Sequence, residues 1–291
     1  MGLLLCRLKN KSSSFFSLSA VVPADEYLSA FVHNFNFSFS IGLRLRAECS
    51  INTGTAASPT VACKLMTDLT NKFFTAYLTA FNPKTVFTKD TPREMMVDEP
   101  NDNGWFEWKL IDGTLSVEDY KTIEDEFKVQ LPTSFLLWHM RYFFLNADTS
   151  ILRLPTSNPN SPLTDLKQKL DWFIAEQLIP QKLYPFGDEG NDAGPLVFDG
   201  RVLSEDNEFP IRYYDHEFGG DLEGLSEIIF SSFEKLLQCL THYMTELKER
   251  RNFEIIPDFF KIDPAGAGSS GIDYWLSWTN MQKANFEEFG Y

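Results

Sequence analysis

Cysteine is scarce in this chain of 291 residues, which holds only Cys6, Cys49, Cys63 and Cys239, none of them in a CxxC pair. Four scattered thiols cannot frame a disulfide scaffold or a cysteine-based zinc site, and they fit a reducing, cytoplasmic compartment. Long hydrophobic runs are missing too. The longest uncharged stretch, Tyr27 to Leu43, is interrupted by Ser29, Asn34, Asn36, Ser38 and Ser40. Each of these is costly in hydrocarbon, so no membrane span is expected. Basic residues number 26 against 41 acidic ones, a formal net charge of −15. That deficit excludes a protein held to nucleic acid by phosphate neutralisation. Neither a GxSxG elbow nor a Walker-type phosphate loop is present. The run Gly266-Ala267-Gly268-Ser269-Ser270-Gly271 fits GxGxxG. Too little chain follows it for the helix, strand and acid of a dinucleotide site, so a flexible turn is expected there. Ser232-Phe233-Glu234-Lys235 fits SxxK without the companion motifs of serine acyl enzymes, which makes it structural. No cofactor is expected, and no residue takes a catalytic role.

What is present is the material of a folded protein: 43% hydrophobic and 23% charged residues, shares that fit neither a collagen-like nor a disordered chain. The length allows one large domain or two small ones. The charge is unevenly spread, with +3 on residues 1–65 and −18 on residues 66–291. The first segment is also rich in Ser and Phe, and a shift of this kind marks a boundary. Three readings of it are open. Arg7, Lys9 and Lys11, followed by the apolar stretch Phe15 to Val22, suggest a targeting peptide. The alternation of apolar and polar residues from Phe35 to Ala47 suggests a strand. The reading favoured here is an upstream extension before a natural start at Met66, where the charged, helical pattern of the rest begins. Residues 66–114 then supply an N-terminal helix and a connecting segment.

From Leu115 onward the punctuation is informative. Ser116 with Asp119 resembles a capping box, and Leu115 with Tyr120 a hydrophobic staple, which predicts a helix over 117–128. Pro132, Thr133 and Ser134 can start a second helix, apolar almost all round from Phe135 to Leu145 and therefore buried. After a Pro, Ser and Asn loop, a helix from Thr164 to Leu178 would turn Leu166, Leu170, Phe173 and Ile174 inward. The pieces Lys182 to Phe186, Leu196 to Asp199 and Phe209 to Asp215 predict an antiparallel meander. A stripe of Leu225, Ile228, Ile229, Phe233, Leu236, Leu237, Leu240, Met244 and Leu247 predicts a long helix over 224–248. The remaining 249–291 form an aromatic tail expected to pack on the domain. The fold class that follows is α+β, with a curved, mostly antiparallel sheet and helices packed on one side.

Four stretches in order carry a family resemblance: IEDEFKVQLPTSFLLWHM (Ile123 to Met140), LYPFGDEGNDAGPLVFDG (Leu183 to Gly200), FPIRYYDHE (Phe209 to Glu217) and SSFEKLLQCL (Ser231 to Leu240). Together they resemble the SUKH superfamily, the Smi/Knr-type proteins that include fungal cell-wall synthesis regulators and bacterial toxin-immunity proteins. The resemblance spans a SUKH-like domain over residues 115–248. It implies structural roles for Leu131, Pro132, Phe186, Gly187, Phe198 and Phe233. It also implies a non-enzymatic, protein-binding function, as an immunity protein that neutralises a toxin or, alternatively, as a regulatory scaffold in cell-wall synthesis or signalling.

Between Pro185 and Glu227 twelve acids face only Arg201 and Arg212, a net of −10. The intervening apolar residues claim the strands, so the charges are expected on turns and strand ends. Asp188, Glu189, Asp192, Asp199, Asp215, Glu217, Asp221 and Glu223 are the predicted docking face for a basic protein partner, a toxin domain in the immunity reading, drawn in by electrostatic steering. The plainer reading is a solvated acidic rim. A metal-dependent hydrolase is the enzymatic alternative, with Asp215-His216-Glu217, Asp188 and Asp192 as donors. In a strand, however, His216 would point away from its two neighbours, so no metal ligands are assigned.

Overall fold

The computed structural model describes residues 4–9, 15–20, 59–81, 85–89, 91–191, 193–202 and 207–290. The chain divides into two units, Met1–Ala57 and Ser58–Tyr291. In the first, β1 (Leu4–Lys9) pairs antiparallel with β2 (Phe15–Ala20), so a strand takes up the apolar stretch that suggested a targeting peptide. The alternating stretch Phe35 to Ala47 lies outside the described residues.

The second unit opens with α1 (Pro59–Ala80). This helix runs through Met66, which is buried, so the structural boundary precedes the compositional one. Its Met66, Thr70, Phe73, Phe74 and Tyr77 keep helical spacing and form the buried stripe. Helix α2 (Val117–Phe127) begins as expected, with the Ser116 N–H donating to the Asp119 carboxylate at 2.8 Å. It stops at Lys128, which adopts the left-handed conformation with φ 58°. Helix α3 (Thr133–Arg141) starts at Pro132 as predicted but ends before Tyr142. Tyr142 and Phe143 are extended and pair with Ile111 and Asp112, aromatic residues being at home in strands.

The predicted helix over 164–178 is broken into α4 (Thr164–Leu170) and α5 (Ala175–Leu178). The turn at Asp171 swings the next residues round, leaving Phe173 62% exposed instead of inward, while Trp172 packs beside Ile174 and Leu178. The expected helix over 224–248 also starts late, as α6 (Phe233–Glu246). Ser232 caps it by accepting from the Lys235 N–H, and the chain before Ser232 is extended. Ser226 and Ile229 donate to the carbonyls of Tyr213 and Ile211, each at 2.9 Å, so the segment bridges to the extended chain at 211–214 instead of forming a helix face.

The main sheet has four antiparallel strands in the order β10-β9-β8-β7. These are β7 (Leu152–Arg153), β8 (Leu183–Glu189), β9 (Pro195–Asp199) and β10 (Ile211–Tyr213). The meander and the α+β class are as expected. One face meets α3 and α6, with α1 packed behind them. There Phe186 and Phe198 stack at 3.8 Å, and Phe135 and Phe233 close on them edgewise at 5.6 to 6.1 Å. The other face is not bare, which departs from one-sided packing. Leu183, Val197 and Tyr214 form a smaller core there with Leu178 of α5 and with Ile174, which precedes that helix.

The tail is part of the main core. Helices α7 (Asn252–Ile255), α8 (Phe259–Ile262) and α9 (Ile272–Phe289) bring Ile255, Ile256, Phe259, Trp275 and Trp278 into it. The Trp275 indole N–H donates to the Ile229 carbonyl at 3.0 Å. The block 115–248 is therefore enclosed from both sides of the sequence. The GxGxxG run forms a π-helical turn, Gly266–Ser270, in place of a flexible one. Buried Asp263 grips it, accepting from the backbone N–H groups of Gly266 and Ser231 and from the Ser231 hydroxyl. A Cβ on Gly266 would lie 2.3 Å from the Ser231 nitrogen, and one on Gly268 2.3 Å from the Phe260 oxygen. The glycines permit close packing of chain on chain.

Candidate functional site

The acids that look alike in sequence fall into three groups. The first is buried. Asp199 is 1% exposed and binds two guanidinium groups, with Arg201 donating from Nε and Nη2 at 2.7 and 2.8 Å and Arg212 from Nε at 2.7 Å. Burial opposes its ionisation, but the hydrogen bonds and charge of the two arginines outweigh that and hold the carboxyl below its ordinary range. Glu189 is 3% exposed and accepts from the N–H and side-chain amide of Asn191, at 2.6 and 3.1 Å. Here burial wins, and the carboxyl is pushed above its ordinary range. Neither residue can belong to a docking face. Period-2 alternation makes strand ends look exposed, but Trp278 of α9 lies against Glu189, and the Arg201 and Arg212 guanidinium groups close over Asp199.

The second group is committed to local structure. Asp188 is bound by Lys169. Glu208 reaches across to α3, accepting from the Ser134 N–H and hydroxyl at 2.8 and 2.6 Å, a helix cap supplied from far along the chain. Asp215, expected as the last residue of a strand, instead accepts from the Glu217 N–H at 3.0 Å and starts a 3-10 turn over His216–Phe218. Asp192 lies outside the described residues.

The third group is exposed, although Glu227 lies 3.8 Å from the Arg212 guanidinium and Glu217 3.5 Å from the His216 ring. Glu217, Asp221, Glu223 and Glu227 are exposed on the loop after β10. Asp221 accepts from the Glu223 N–H at 3.0 Å and fixes a second 3-10 turn, Leu222–Gly224. The two turns present Phe218 and Leu222, each 44% exposed, among the acids. The loop is seated, since the Gln181 amide donates to the Gly220 carbonyl at 3.1 Å and the Gly220 N–H to the Tyr214 hydroxyl at 2.6 Å. Sequence reasoning found the acids but missed the two apolar side chains. Their only signal was a Phe and a Leu that break the polar pattern of Asp215 to Glu223.

The six residues to which the resemblance assigns structural roles are all buried. Leu131, Phe186, Phe198 and Phe233 are fully buried, and Pro132 precedes the first turn of α3. Gly187 lies where a Cβ would come within 2.8 Å of the Arg153 carbonyl oxygen.

Other chemistry is sparse among the described residues. No three His, Cys, Asp or Glu side chains there converge as metal ligands. His139 is fully buried, its Nδ1 2.6 Å from the Tyr120 hydroxyl and its Nε2 3.1 Å from the Thr156 carbonyl. A carbonyl can only accept, so Nε2 carries the proton and Nδ1 accepts from Tyr120. Burial lowers its pKa to about 4 and keeps the ring neutral. The Cys239 thiol is buried, and burial raises its pKa. A cleft of about 650 Å³ between α1 and α6 is lined by Thr75, Thr79, Thr241, Met244 and Thr245. No helix of the described residues is long and apolar enough to cross a membrane. No protein-family model matches the chain, and neither a curated protein nor a solved structure matches it significantly.

Proposed function

We propose that this chain is a non-enzymatic protein-binding module of the immunity type, which neutralises a basic toxin domain by docking it on the loop from Asp215 to Glu227. The observation that carries the reading is the pairing of Phe218 and Leu222, each 44% exposed, with exposed Glu217, Asp221 and Glu223. Apolar anchors rimmed by charge are the usual anatomy of a binding hot spot. The acids supply steering and orientation, and the anchors supply residence time. Arg201 and Arg212 are not paired with Glu217, Asp221 or Glu223; Asp199 engages both, and Arg212 also reaches Glu227 at 3.8 Å. The order of four stretches resembling the SUKH superfamily points the same way.

Co-expression with a toxin candidate encoded beside the gene should restore growth. Absence of rescue with both proteins folded would sink the immunity reading. The triple variant Glu217→Gln, Asp221→Asn, Glu223→Gln should slow association and flatten its dependence on salt. Association unchanged by it would mean that the acids are only a solvated rim. The second reading is a scaffold that binds several partners. A second exposed aromatic pair, Phe87 and Trp105, favours it.

A further inference from the structure

Residues 85–109 build a small antiparallel sheet of their own. In it β3 (Thr85–Val86) pairs with β4 (Phe106–Glu107), and Met96 bridges to Trp108 on the other side of that strand. The pleat sorts the side chains. Val86, Met95, Phe106 and Trp108 are buried, whereas Phe87, Val97 and Trp105 are 63%, 44% and 46% exposed. The Phe87 and Trp105 rings stand 6.4 Å apart at 47°, an open angle. The turn that presents them is rigid. The Asn101 carboxamide oxygen accepts from the N–H groups of Asn103 and Trp105, each at 3.0 Å, and Gly104 donates to the Asn101 carbonyl at 2.8 Å. Gly104 has φ +82°, and a Cβ there would lie 2.4 Å from the Phe87 ring, so the ring covers the turn backbone. Large exposed aromatics held this firmly cost a soluble protein unless something covers them.

The charge around the rings says what fits. From Val97 to Trp105 there are three acids, Asp98, Glu99 and Asp102, and no cation, while on the Phe87 side exposed Lys89 is the one cation within two residues of the ring. Glu99 is paired with Arg93 at 2.8 Å. Asp98 and Asp102 are exposed and enter no ion pair among the described residues. Electron-rich ring faces beside unpaired carboxylates suit a guanidinium, which stacks on the ring while donating to the carboxylates.

We propose that the Phe87–Trp105 face binds an extended, arginine-bearing peptide segment of a partner protein. This does not rest on the loop from Asp215 to Glu227. The probe is a fluorescein-labelled peptide of arginine alternating with glycine, set beside its neutral citrulline counterpart and a glucose oligosaccharide, the other class of ligand that stacks on tryptophan. With the intact chain, Trp105→Ala and Phe87→Ala should each weaken the arginine peptide about two- to fivefold, the range for a cation over an exposed ring. Trp105→Phe should keep part of the affinity. Bound arginine peptide should also protect Trp105 from acrylamide, read as the quenching difference between wild type and Trp105→Phe. That protection should survive in the Glu217→Gln, Asp221→Asn, Glu223→Gln variant, which separates this face from the acidic loop. Equal affinity for the citrulline peptide, protection of Trp105 by the oligosaccharide alone, or no protection by the arginine peptide would overturn the proposal.

Discussion

His139 shows how one buried side chain sets a pH limit. Its folded pKa of about 4 lies below the 6.5 of an exposed imidazole. Above pH 6.5 both the folded and unfolded chains hold it neutral. As pH falls toward 4 the unfolded chain takes up a proton that the folded chain refuses, and stability drops by about 3 kcal/mol across that window. The urea midpoint should follow this fall, and His139→Gln should flatten it, whatever it does to stability at neutral pH. An imidazole signal of His139 that titrates near pH 6.5 by NMR would contradict the assignment. The acids show what composition can and cannot tell. Their sign and position were legible, but Asp199 and Glu208 owe their roles to Arg212 and Ser134, and pairings across the fold leave no mark in local sequence.

At the scale of elements, local signals were read well where they are local. Ser116 with Asp119 and Pro132 each mark a helix start that the structure reproduces. The errors fall where two periods compete. Leu225, Ile228 and Ile229 fit a helical stripe, yet the open edge of β10 took the segment as a partner, and Ser232 is where the helix begins. The GxGxxG run was read as loose because glycine permits freedom, whereas here it permits contact. Gly268→Ala should therefore cost about 1 to 3 kcal/mol, as overpacking does, and lower the thermal midpoint. An unchanged midpoint would mean that the turn yields.

The second unit is built around a main core drawn from distant parts of the chain. Met66, Phe73 and Phe74 of α1 and Trp275 and Trp278 of α9 meet the sheet and α6 in a single cluster. A chain ending after Arg250 would lack Ile255, Ile256, Phe259 and both tryptophans, and should lose cooperative unfolding and its near-ultraviolet dichroism. A truncated chain that still unfolds cooperatively would show the tail to be an accessory. The charge shift near residue 65 located a boundary only roughly, since composition averages over a helix that begins at Pro59. The Asp263 grip on Ser231 adds a consequence for biosynthesis. The residue that steadies the entry to α6 is made after α6 itself, and Trp275 and Trp278 come later still. On the ribosome the aromatic pair Phe230 and Phe259 must wait, partly uncovered, until the last helix brings Trp275 onto it, so the nascent chain is expected to fold late and to need shielding by chaperones until then.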